Sequence, residues 1–400
     1  MKILVINAGS STLKFQLLNT ESGDVLAKGN VERIGEGASF LSYKANGQSL
    51  KLEEEINNHA EAMELVISTL TSKDMGVVSS ISEVDAFGHR IVNAGEKYFD
   101  PILVTEEILA DFKTKVDFSP LHMPGGIAGI EACFKIAPEI KNVAVFDIGF
   151  HKNMPDYAYR YAIDNKYYTE YGIRRYGAHG TSHYFVSREC AKLMGQPVED
   201  LKIITCHMGG GASISAVKGG HSIDTSMGFT PLEGVMMNTR SGDLDPSIVE
   251  FICKKENLTV SEVIKKLNKE SGIYAINNGV SDMRELTTTE NIKTESVQLA
   301  LNMYAYRVKK YIGSYVASMN GVDAIVFTAG IGEFTPELRE LICADMDYLG
   351  IAIDGEKNYS AKRGEPTELT KEGSKVRVFI IPTNEELVIA EETEKIVKEN

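Results

Sequence analysis

The chain has 400 residues, of which 43% are hydrophobic and 24% charged, and its formal net charge is −14. This length predicts about two to three domains of an ordinary globular protein, and the acidic balance argues against nucleic acids and anionic membranes as partners. No apolar run reaches the ~18 residues of a membrane span, and the apolar run after Met1-Lys2 is too short for a signal peptide. We therefore expect an intracellular, cytoplasmic protein.

Strands and helices alternate along the chain, which predicts an α/β fold. In chain order, we expect strands at 2–7, 13–19, 24–33, 84–87, 142–146, 202–206, 212–217, 221–226, 323–328 and 376–381. We expect helices at 55–73, 105–115, 125–136, 182–194, 246–256, 260–270, 293–320, 335–345 and 384–399. The five cysteines are dispersed without a C-x-x-C pair, which is typical of reduced thiols in the cytosol.

Two parts of the chain repeat a pattern about 200 residues apart. The opening VINAGSSTLKFQLL (5–18) is similar to ITCHMGGGASISAV (204–217), and a further strand follows each segment. VFDIGFH (145–151) is similar to VFTAGIGE (326–333), each a buried strand that runs into glycine. Chance matches in an α/β chain are the alternative, but the repeats favour two related domains that face a common cleft.

Glycine-rich segments are the strongest local indication of a ligand. In C-H-M-G-G-G-A-S (206–213), three glycines allow a close backbone approach and suit phosphate oxygens, although a plain hairpin turn explains them equally well. F-T-A-G-I-G-E (327–333) and D-T-S-M-G (224–228) add further glycines, hydroxyls and an acid. Neither a P-loop nor a complete dinucleotide-binding G-x-G-x-x-G motif is present.

Two arginines stand in positions that favour ligand binding over simple solvation. Arg90 comes directly after a predicted strand in G-H-R-I-V, and Arg240 lies in the polar loop T-R-S-G-D-L-D-P. Strand exits are where α/β folds place ligands. A guanidinium group binds a carboxylate or phosphate with two parallel hydrogen bonds, which lysine cannot do.

Several other polar residues have both a structural and a functional interpretation. Asp147 follows a very apolar strand. Its interpretations are an N-cap, a residue that holds metal-bound water, and an acid/base. His179 and His183 have the spacing of zinc ligands but lack further ligands, so a capping role or a hydrogen bond to a phosphoryl oxygen is favoured. His122 is structural or ligand-binding. Thr383 is the predicted N-cap of the last helix, in whose first turn Glu385 suits either the helix dipole or Mg²⁺.

Nine segments in one order resemble the acetate kinase family of short-chain acyl kinases. They span nearly the whole chain: VINAGSSTLKF, GHRIV, PLH, VFDIGFH, YGAHGTSH, DTSMGFTPLEG, TRSGDLDP, FTAGIGE and IPTNEEL. The resemblance implies two duplicated actin-like ATPase (ribonuclease H-like) α/β domains around a central nucleotide cleft. It also implies reversible, Mg²⁺-dependent transfer of the γ-phosphoryl group of ATP to acetate, which gives acetyl phosphate and ADP and serves acetyl-CoA biosynthesis.

The resemblance also implies a division of the chain. Residues 1–150 with 386–400 would form the N-terminal domain, on the acyl and magnesium side. Residues 151–385 would form the second domain, which binds the nucleotide and carries the contact of a homodimer. The expected partners are acetate or acetyl phosphate and ATP or ADP.

The resemblance assigns roles position by position. Asn7 and Glu385 would hold Mg²⁺, or Mn²⁺ in its place. Arg90 would bind the acyl carboxylate, Asp147 is usually assigned as the acid/base, and His179 and Arg240 would stabilise the transferring phosphoryl group. The substrate pocket would contain Val92, Leu121, Pro231 and His122. The nucleotide and its phosphates would contact Ser10, Thr12, Lys14, His207, Met208, Gly209, Gly210, Gly211, Asp282, Met283, Arg284, Gly330, Ile331, Gly332, Glu333 and Phe334.

Acetate is already an anion at neutral pH, so no base is needed to generate the nucleophile. The difficulty lies in bringing two anions together, which requires positioning and positive charge. A carboxylate beside an anionic acceptor is repulsive. We therefore expect Asp147 to orient magnesium-bound water or an arginine rather than to move a proton.

The chain departs from the family pattern at several positions. N-A-G-E follows Arg90 where the family has H-G-G-E, and the phosphate loop reads H-M-G-G-G where H-L-G-N-G is common. Asn238 replaces a glycine, Phe334 an asparagine, and Ala178 a phenylalanine found in some members. The smaller Ala178 leaves propionate or butyrate open as the acceptor, and Gly210 with Phe334 leaves pyrophosphate open as the donor. A non-catalytic actin-like nucleotide-binding module is the alternative from another class, but it would have no use for a carboxylate-binding arginine.

Overall fold

The computed structural model describes all 400 residues, and the chain divides into two compact units. Unit 1 comprises Met1–Gly149 with Asn384–Asn400, and unit 2 comprises Phe150–Thr383. Each unit has its own β-sheet and its own hydrophobic cores.

The strands of unit 1 form one eight-stranded sheet and those of unit 2 a six-stranded sheet. Unit 1 contains β1 (Lys2–Ala8), β2 (Thr12–Asn19), β3 (Asp24–Glu32), β4 (Phe40–Ala45), β5 (Gln48–Glu53), β6 (Ala86–Ile91), β7 (Ile102–Leu103) and β8 (Lys141–Phe146). Unit 2 contains β9 (Lys202–Met208), β10 (Ala212–Lys218), β11 (His221–Thr225), β12 (Ala324–Thr328), β13 (Thr367–Glu368) and β14 (Arg377–Ile380).

Fifteen α-helices accompany these strands, and none of them has the length and apolar character that a bilayer span requires. They are α1 (His59–Leu70), α2 (Glu106–Lys113), α3 (Met123–Ile136), α4 (Asp156–Tyr159), α5 (Lys166–Tyr171), α6 (Gly180–Met194), α7 (Ser247–Glu256), α8 (Val260–Lys269), α9 (Gly272–Ile276), α10 (Met283–Leu286), α11 (Glu295–Met319), α12 (Ala329–Phe334), α13 (Pro336–Cys343), α14 (Gly355–Ser360) and α15 (Glu385–Glu399).

Helices cover both faces of the sheet in unit 1. The strand order is β5-β4-β3-β2-β1-β6-β8-β7, in which β1, β6 and β8 run parallel. Alternate residues of β1 face opposite sides. Leu4 and Ile6 belong to the core beneath α1 and α3, whereas Ile3 and Val5 pack with Ile389 of α15. The C-terminal helix therefore completes the first unit.

Unit 2 repeats this layering around the order β11-β10-β9-β12-β14-β13. On one face, Ile204 and Ile325 pack in a large core that includes the buried side of α11. On the other face, Ile203 and Val326 pack with Val186 of α6. The parallel strands β9, β12 and β14 are covered on both sides, which explains their continuous apolar sequences.

The two sheets confirm part of the predicted repeat. In unit 1 the central order is β3-β2-β1-β6-β8, and in unit 2 it is β11-β10-β9-β12-β14. Each opens with an antiparallel hairpin whose first strand pairs in parallel with the next strand of the sheet. The match of 145–151 with 326–333 is wrong, because β8 takes the sheet position of β14 and β12 takes that of β6.

Two local expectations need correction, and one hairpin is additional to the predicted elements. Arg90 lies inside β6 rather than after a strand. The N-cap of α15 is Asn384, whose side chain accepts a hydrogen bond from Leu387 N at 3.2 Å, and not Thr383. The hairpin of β4 and β5 was not expected from the sequence. Its turn contains Asn46 and Gly47, both with positive φ, as a tight two-residue hairpin turn requires.

The first prediction concerns His89, a buried histidine of β6. Its Nε2 lies 2.7 Å from Asn142 Oδ1, and burial lowers its pKa from 6.5 to about 4. Since the unfolded chain takes up a proton at pH 5 and folded His89 does not, this group should cost about 2 kcal/mol of stability between pH 7 and pH 5. We expect His89→Gln to reduce the acid loss by that amount in urea unfolding. An unchanged pH dependence would show that His89 is not the group responsible.

Candidate active site

An ion pair between Arg90 and Asp147 forms the centre of the candidate site in unit 1. Arg90 lies near the end of β6, and Asp147 directly follows the neighbouring parallel strand β8. Nε of Arg90 donates to Oδ1 of Asp147 at 3.0 Å, and Nη2 donates to Oδ2 at 2.5 Å. Only 1% of Asp147 is exposed. Both carboxylate oxygens are therefore engaged by one guanidinium group, which fixes its plane.

Further carboxylates surround this guanidinium. Burial opposes the charge of Arg90, but Asp147 and then Glu385 outweigh it, so that the pKa of Arg90 is raised. Oε2 of Glu385, in the first turn of α15, lies 4.0 Å from Nε of Arg90. Next to it, burial raises the pKa of Glu386, which also faces Lys14. Arg90 therefore stays charged throughout the physiological pH range.

The hairpin of β1 and β2 supplies polar groups to the same unit. Asn7 and Lys14 are directly opposite each other in the ladder, and the turn closes through Gly9 N and Thr12 O at 2.8 Å. Asn7, Lys14 and Glu386 border an open depression of about 530 Å³. Ser10 is exposed at the turn. The hairpin thus contributes an amide and an ammonium group to this depression.

The predicted substrate-pocket residues of unit 1 stand at the ends of α3 and β6. Val92 follows β6 and is half-buried, whereas 51% of Leu121 is exposed. His122 is the N-cap residue of α3, but its side chain makes no capping hydrogen bond. A methyl pocket formed by Val92 and Leu121 with Pro231 remains a prediction.

In unit 2, two stacked histidines form the centre of the candidate site. His179 precedes α6 with a left-handed backbone (φ 55°), and its ring lies 4.0 Å from that of His207 at an interplanar angle of 17°. Nδ1 of His179 lies 2.9 Å from Ser213 Oγ, and Nδ1 of His207 lies 2.8 Å from Ser182 Oγ. His179 occupies the N-cap position of α6, as the capping alternative expects, but its side chain makes no capping hydrogen bond.

The triple glycine forms the turn of the β9–β10 hairpin beside these rings. Met208 pairs with Ala212, and Gly209 N donates to Gly211 O at 3.0 Å. A Cβ atom at Gly211 would lie 3.2 Å from Nη1 of Arg240 and 3.6 Å from Nε2 of His179. The side chain of Met208 is fully buried, so only its backbone is available to a ligand. The glycines keep the space next to the cationic groups clear.

Arg240 is a half-buried guanidinium without an anionic partner. It lies in the loop between β11 and α7, where Nη1 donates to Pro231 O at 3.2 Å and lies 3.7 Å from Met237 Sδ. Burial lowers its pKa, and no carboxylate offsets this effect. A partly desolvated cation without a counter-charge is costly, so this position favours the binding of an anion.

The segment Gly330, Ile331, Gly332, Glu333 and Phe334 lies within α12, next to the glycine turn. A Cβ atom at Gly209 would lie 3.7 Å from Cβ of Ala329, and Thr328 pairs with His207. The buried Arg339 of α13 donates to the carbonyls of Gly332 and Glu333 at 2.8 and 2.9 Å. Arg339 therefore holds the C-terminal end of α12, the proposed nucleotide-binding segment, in place.

The predicted nucleotide-binding residues at α10 are less closely connected to the rest of the candidate site. Asp282 caps α10 and binds Arg284 through Oδ2 and Nη2 at 2.5 Å, in an exposed pair. Met283 is buried in the core of unit 2, so its side chain is not available to a ligand. The nucleotide role of Asp282 and Arg284 remains a prediction.

Comparison with known proteins gives a consistent result along the whole chain. A profile described as the Acetokinase family matches residues 2–391. The acetate kinase of Thermoanaerobacterium thermosaccharolyticum is 52% identical over 399 residues, which is 100% of this chain and 99% of that protein. The chain belongs to the acetokinase family.

Solved structures of acetokinase-family enzymes have the same fold. The crystal structure of Porphyromonas gingivalis acetate kinase matches with a TM-score of 0.93 and 42% identity, and 99% of each chain is covered. A propionate kinase from Francisella tularensis matches with a TM-score of 0.92 and 37% identity over 99% of each chain. The predicted α/β fold of the actin-like ATPase class is therefore confirmed.

Several residues of the candidate site were not expected from the sequence. Ser182, Thr205 and Ser213 bind the histidine rings, Arg339 holds the carbonyls of α12, and Glu386 accompanies Glu385. Serine alternates with apolar residues along β10, but this pattern does not indicate that a hydroxyl contacts a histidine of α6. Arg339 is only seven and six residues from Gly332 and Glu333 along the chain, but no pattern in the sequence indicates these hydrogen bonds.

The second prediction concerns Gly211, the last glycine of the turn. The methyl group of Gly211→Ala would lie 3.2 Å from Nη1 of Arg240, so the guanidinium must shift. We expect turnover to fall by roughly 10-fold to 100-fold, since small displacements of a positioning group have effects of this size. Gly210→Ala is the matched control, because a Cβ atom there meets nothing within 4 Å. Equal losses in both variants would contradict this steric explanation.

Proposed function

We propose that the protein transfers the γ-phosphoryl group of ATP to acetate, reversibly, to give acetyl phosphate and ADP. The observation that carries this proposal is Arg240, a half-buried guanidinium without a counter-anion beside the glycine turn and the two stacked histidines. Such a group suits a transferring phosphoryl. Similarity over the whole chain to proteins named acetate kinase supports acetate as the acceptor.

Arg90 is the proposed binding group for the acetate carboxylate. An arginine side chain has five N–H donors, and Asp147 accepts from two of them, at Nε and Nη2. The remaining donors are available to a second carboxylate. Asp147 thus orients Arg90 in this proposal and does not move a proton.

The transfer is a direct in-line displacement. One acetate oxygen forms a bond to the γ-phosphorus while the bond from that phosphorus to the oxygen of ADP breaks, and no proton is transferred. Negative charge increases on the transferring group and on the ADP oxygen. Arg240 and His179 stabilise that charge, and the glycine turn leaves space for phosphate oxygens beside them.

The nucleotide is accompanied by Mg²⁺ in this proposal, for which Mn²⁺ can substitute. The donors suit a hard cation, since Asn7, at the border of the depression, offers an amide oxygen and Glu385 offers a carboxylate. Mg²⁺ takes most of its ligands from phosphates and water, so two protein donors suffice in this proposal. When bound, the ion would neutralise charge on the phosphates.

We also propose a homodimer in the cytoplasm, serving acetyl-CoA biosynthesis. In unit 2, neighbouring helices α7 and α8 expose large apolar side chains, with Phe251 63% and Val260 61% exposed. Exposed apolar patches of this kind support a contact between subunits. The five free cysteines fit a reducing compartment.

Propionate is a second candidate acceptor, because a structure named propionate kinase matches with a TM-score of 0.92. The sequence-based argument from Ala178 is weaker, since Ala178 packs inside the core of unit 2. A methyl group adds only about 1–3 kcal/mol of discrimination in an apolar pocket, so some activity with propionate is expected.

Trapping of acyl phosphate with hydroxylamine tests the function directly. The protein would be incubated with ATP, Mg²⁺ and acetate, propionate or butyrate, and with pyrophosphate in place of ATP. We expect the highest kcat/KM with ATP and acetate. Failure to form hydroxamate from any of these acids would contradict the proposed enzymatic activity and favour a non-catalytic nucleotide-binding module.

A further inference from the structure

A chain of buried hydroxyl and imidazole groups leads through unit 2 to His179. Oγ1 of Thr205 lies 2.7 Å from Nδ1 of His183, and Nε2 of His183 lies 2.7 Å from Oγ of Ser213. The same Ser213 hydroxyl lies 2.9 Å from Nδ1 of His179. Thr205, His183 and Ser213 are all fully buried. Three consecutive hydrogen bonds thus join β9, α6 and β10 to the N-terminus of α6.

The number of protons available to this series of hydrogen bonds restricts which group donates in each of them. Burial lowers the pKa of His183 well below its usual range, so that its ring is neutral and carries one N–H. Each hydroxyl also carries one proton, and each hydrogen bond needs one. The protons therefore all point toward His179 or all point away from it, because the one remaining order, in which Ser213 accepts from both rings, leaves the proton of the buried Ser213 hydroxyl without an acceptor.

The Thr205 hydroxyl decides between the two orders. Its only hydrogen-bond partner is His183 Nδ1. If the protons pointed away from His179, Thr205 would accept from His183, and its own proton would be buried without an acceptor. That cost disfavours this order by roughly 10-fold to 100-fold in population. In the other order, Thr205 donates to His183, His183 donates to Ser213, and Ser213 donates to His179.

We infer that this hydroxyl–imidazole chain holds neutral His179 with its proton on Nε2, which makes Thr205, His183 and Ser213 positioning residues for phosphoryl transfer. The inference about transfer rests on the proposed function. Nδ1 of His179 accepts from Ser213, so the ring proton must be on Nε2. That nitrogen faces the glycine turn, 3.6 Å from where a Cβ atom of Gly211 would be.

His207 follows the same rule independently. Its Nδ1 lies 2.8 Å from the buried Ser182 hydroxyl, and this is the only hydrogen bond that Ser182 makes through its side chain. Ser182 therefore donates, and the neutral His207 ring also carries its proton on Nε2. A Cβ atom at Gly209 would lie 3.7 Å from that nitrogen. Both stacked rings thus present N–H donors toward the glycine turn, where phosphate oxygens would lie.

The experiment measures the tautomer of His179 in the full-length protein without substrate, by ¹H–¹⁵N NMR after ¹⁵N-histidine labelling. His179→Gln assigns the signal. We expect Nδ1 of His179 to be unprotonated in the natural protein. Thr205→Val, which removes the donor but keeps the shape, should shift the tautomer ratio toward Nδ1–H by roughly 10-fold to 100-fold. Thr205→Ser should restore the natural ratio.

Thr225→Val is the matched control, because Thr225 is an equally buried threonine of the same sheet whose hydroxyl donates to Ile214 O. It should leave the tautomer unchanged. A natural protein with the proton on Nδ1 of His179, or an unchanged ratio in Thr205→Val, would overturn the inferred proton order. A shifted tautomer with lower kcat and unchanged KM for ATP supports the positioning role. A shifted tautomer with unchanged turnover supports the proton order but contradicts the role of His179 in transfer.

Discussion

Arg240→Ala is expected to lower kcat by roughly 10³-fold or more, with the KM for ATP changed by no more than about 3-fold. The guanidinium has no carboxylate partner and lies beside the glycine turn and the histidine pair. Its charge is needed most where negative charge increases during transfer. Removing it should therefore affect the transition state far more than the bound nucleotide.

The same substitution should leave the protein at least as stable as before. A half-buried cation without a counter-charge is unfavourable in the absence of ligand, so Arg240→Ala removes a cost of folding. We expect an equal or higher Tm together with the loss of turnover. Arg160→Ala, which changes an exposed arginine of unit 2, is the control for activity and should leave kcat unchanged. Near-normal kcat in Arg240→Ala would contradict a role in transfer.

The fold was largely predictable because its strong patterns are local. Buried parallel strands such as β12 are continuous apolar runs, and the long α11 has apolar residues at helical spacing. The β4–β5 hairpin is absent from the predicted strands although Asn46-Gly47 is a strong turn pattern, because its two strands carry many polar residues. The repeat was predictable in the hairpins, where turn chemistry is specific. It was misleading at 145–151, where a buried strand followed by glycine is too common a pattern.

The candidate site was predictable only where one segment carries the chemistry. The glycine turn and Arg240 stand out in the sequence because their composition is unusual for a loop. The buried hydroxyls of Thr205 and Ser213 did not stand out, because single threonines and serines are common in strands. Their importance follows from burial and from the histidine nitrogens they contact, which are contributed by α6. No local pattern gives contacts of that kind.

The link between Arg90 and Asp147 could not be predicted from spacing, since 57 residues separate them. It arises from the parallel pairing of β6 and β8, whose ends lie side by side. The pairing gives a physical reason for the expectation that Asp147 orients an arginine. Both of its oxygens already accept hydrogen bonds from Arg90, which leaves it poorly placed to take up a proton.

A double-mutant cycle on this pair separates an orienting role of Asp147 from an acid/base role. Arg90→Ala should lower kcat/KM for acetate by roughly 10³-fold, because the carboxylate of acetate loses its binding group. The substitution also leaves Asp147 as a buried charge without a partner. Asp147→Asn should also lower it, since the amide can accept only one of the two hydrogen bonds from Arg90. If Asp147 acts only through Arg90, its replacement should do no further harm once Arg90 is absent.

We therefore expect the double variant Arg90→Ala/Asp147→Asn to be at least as active as Arg90→Ala alone, and to have a higher Tm, because the unpaired carboxylate has been neutralised. An acid/base role would instead make the double variant less active than Arg90→Ala by a further factor of about 10² or more. The KM for ATP should stay nearly constant in all three variants, because Arg90 is proposed to contact only acetate. Since acetate enters as an anion, the profile of kcat/KM against pH should show no step that disappears when Asp147 is replaced.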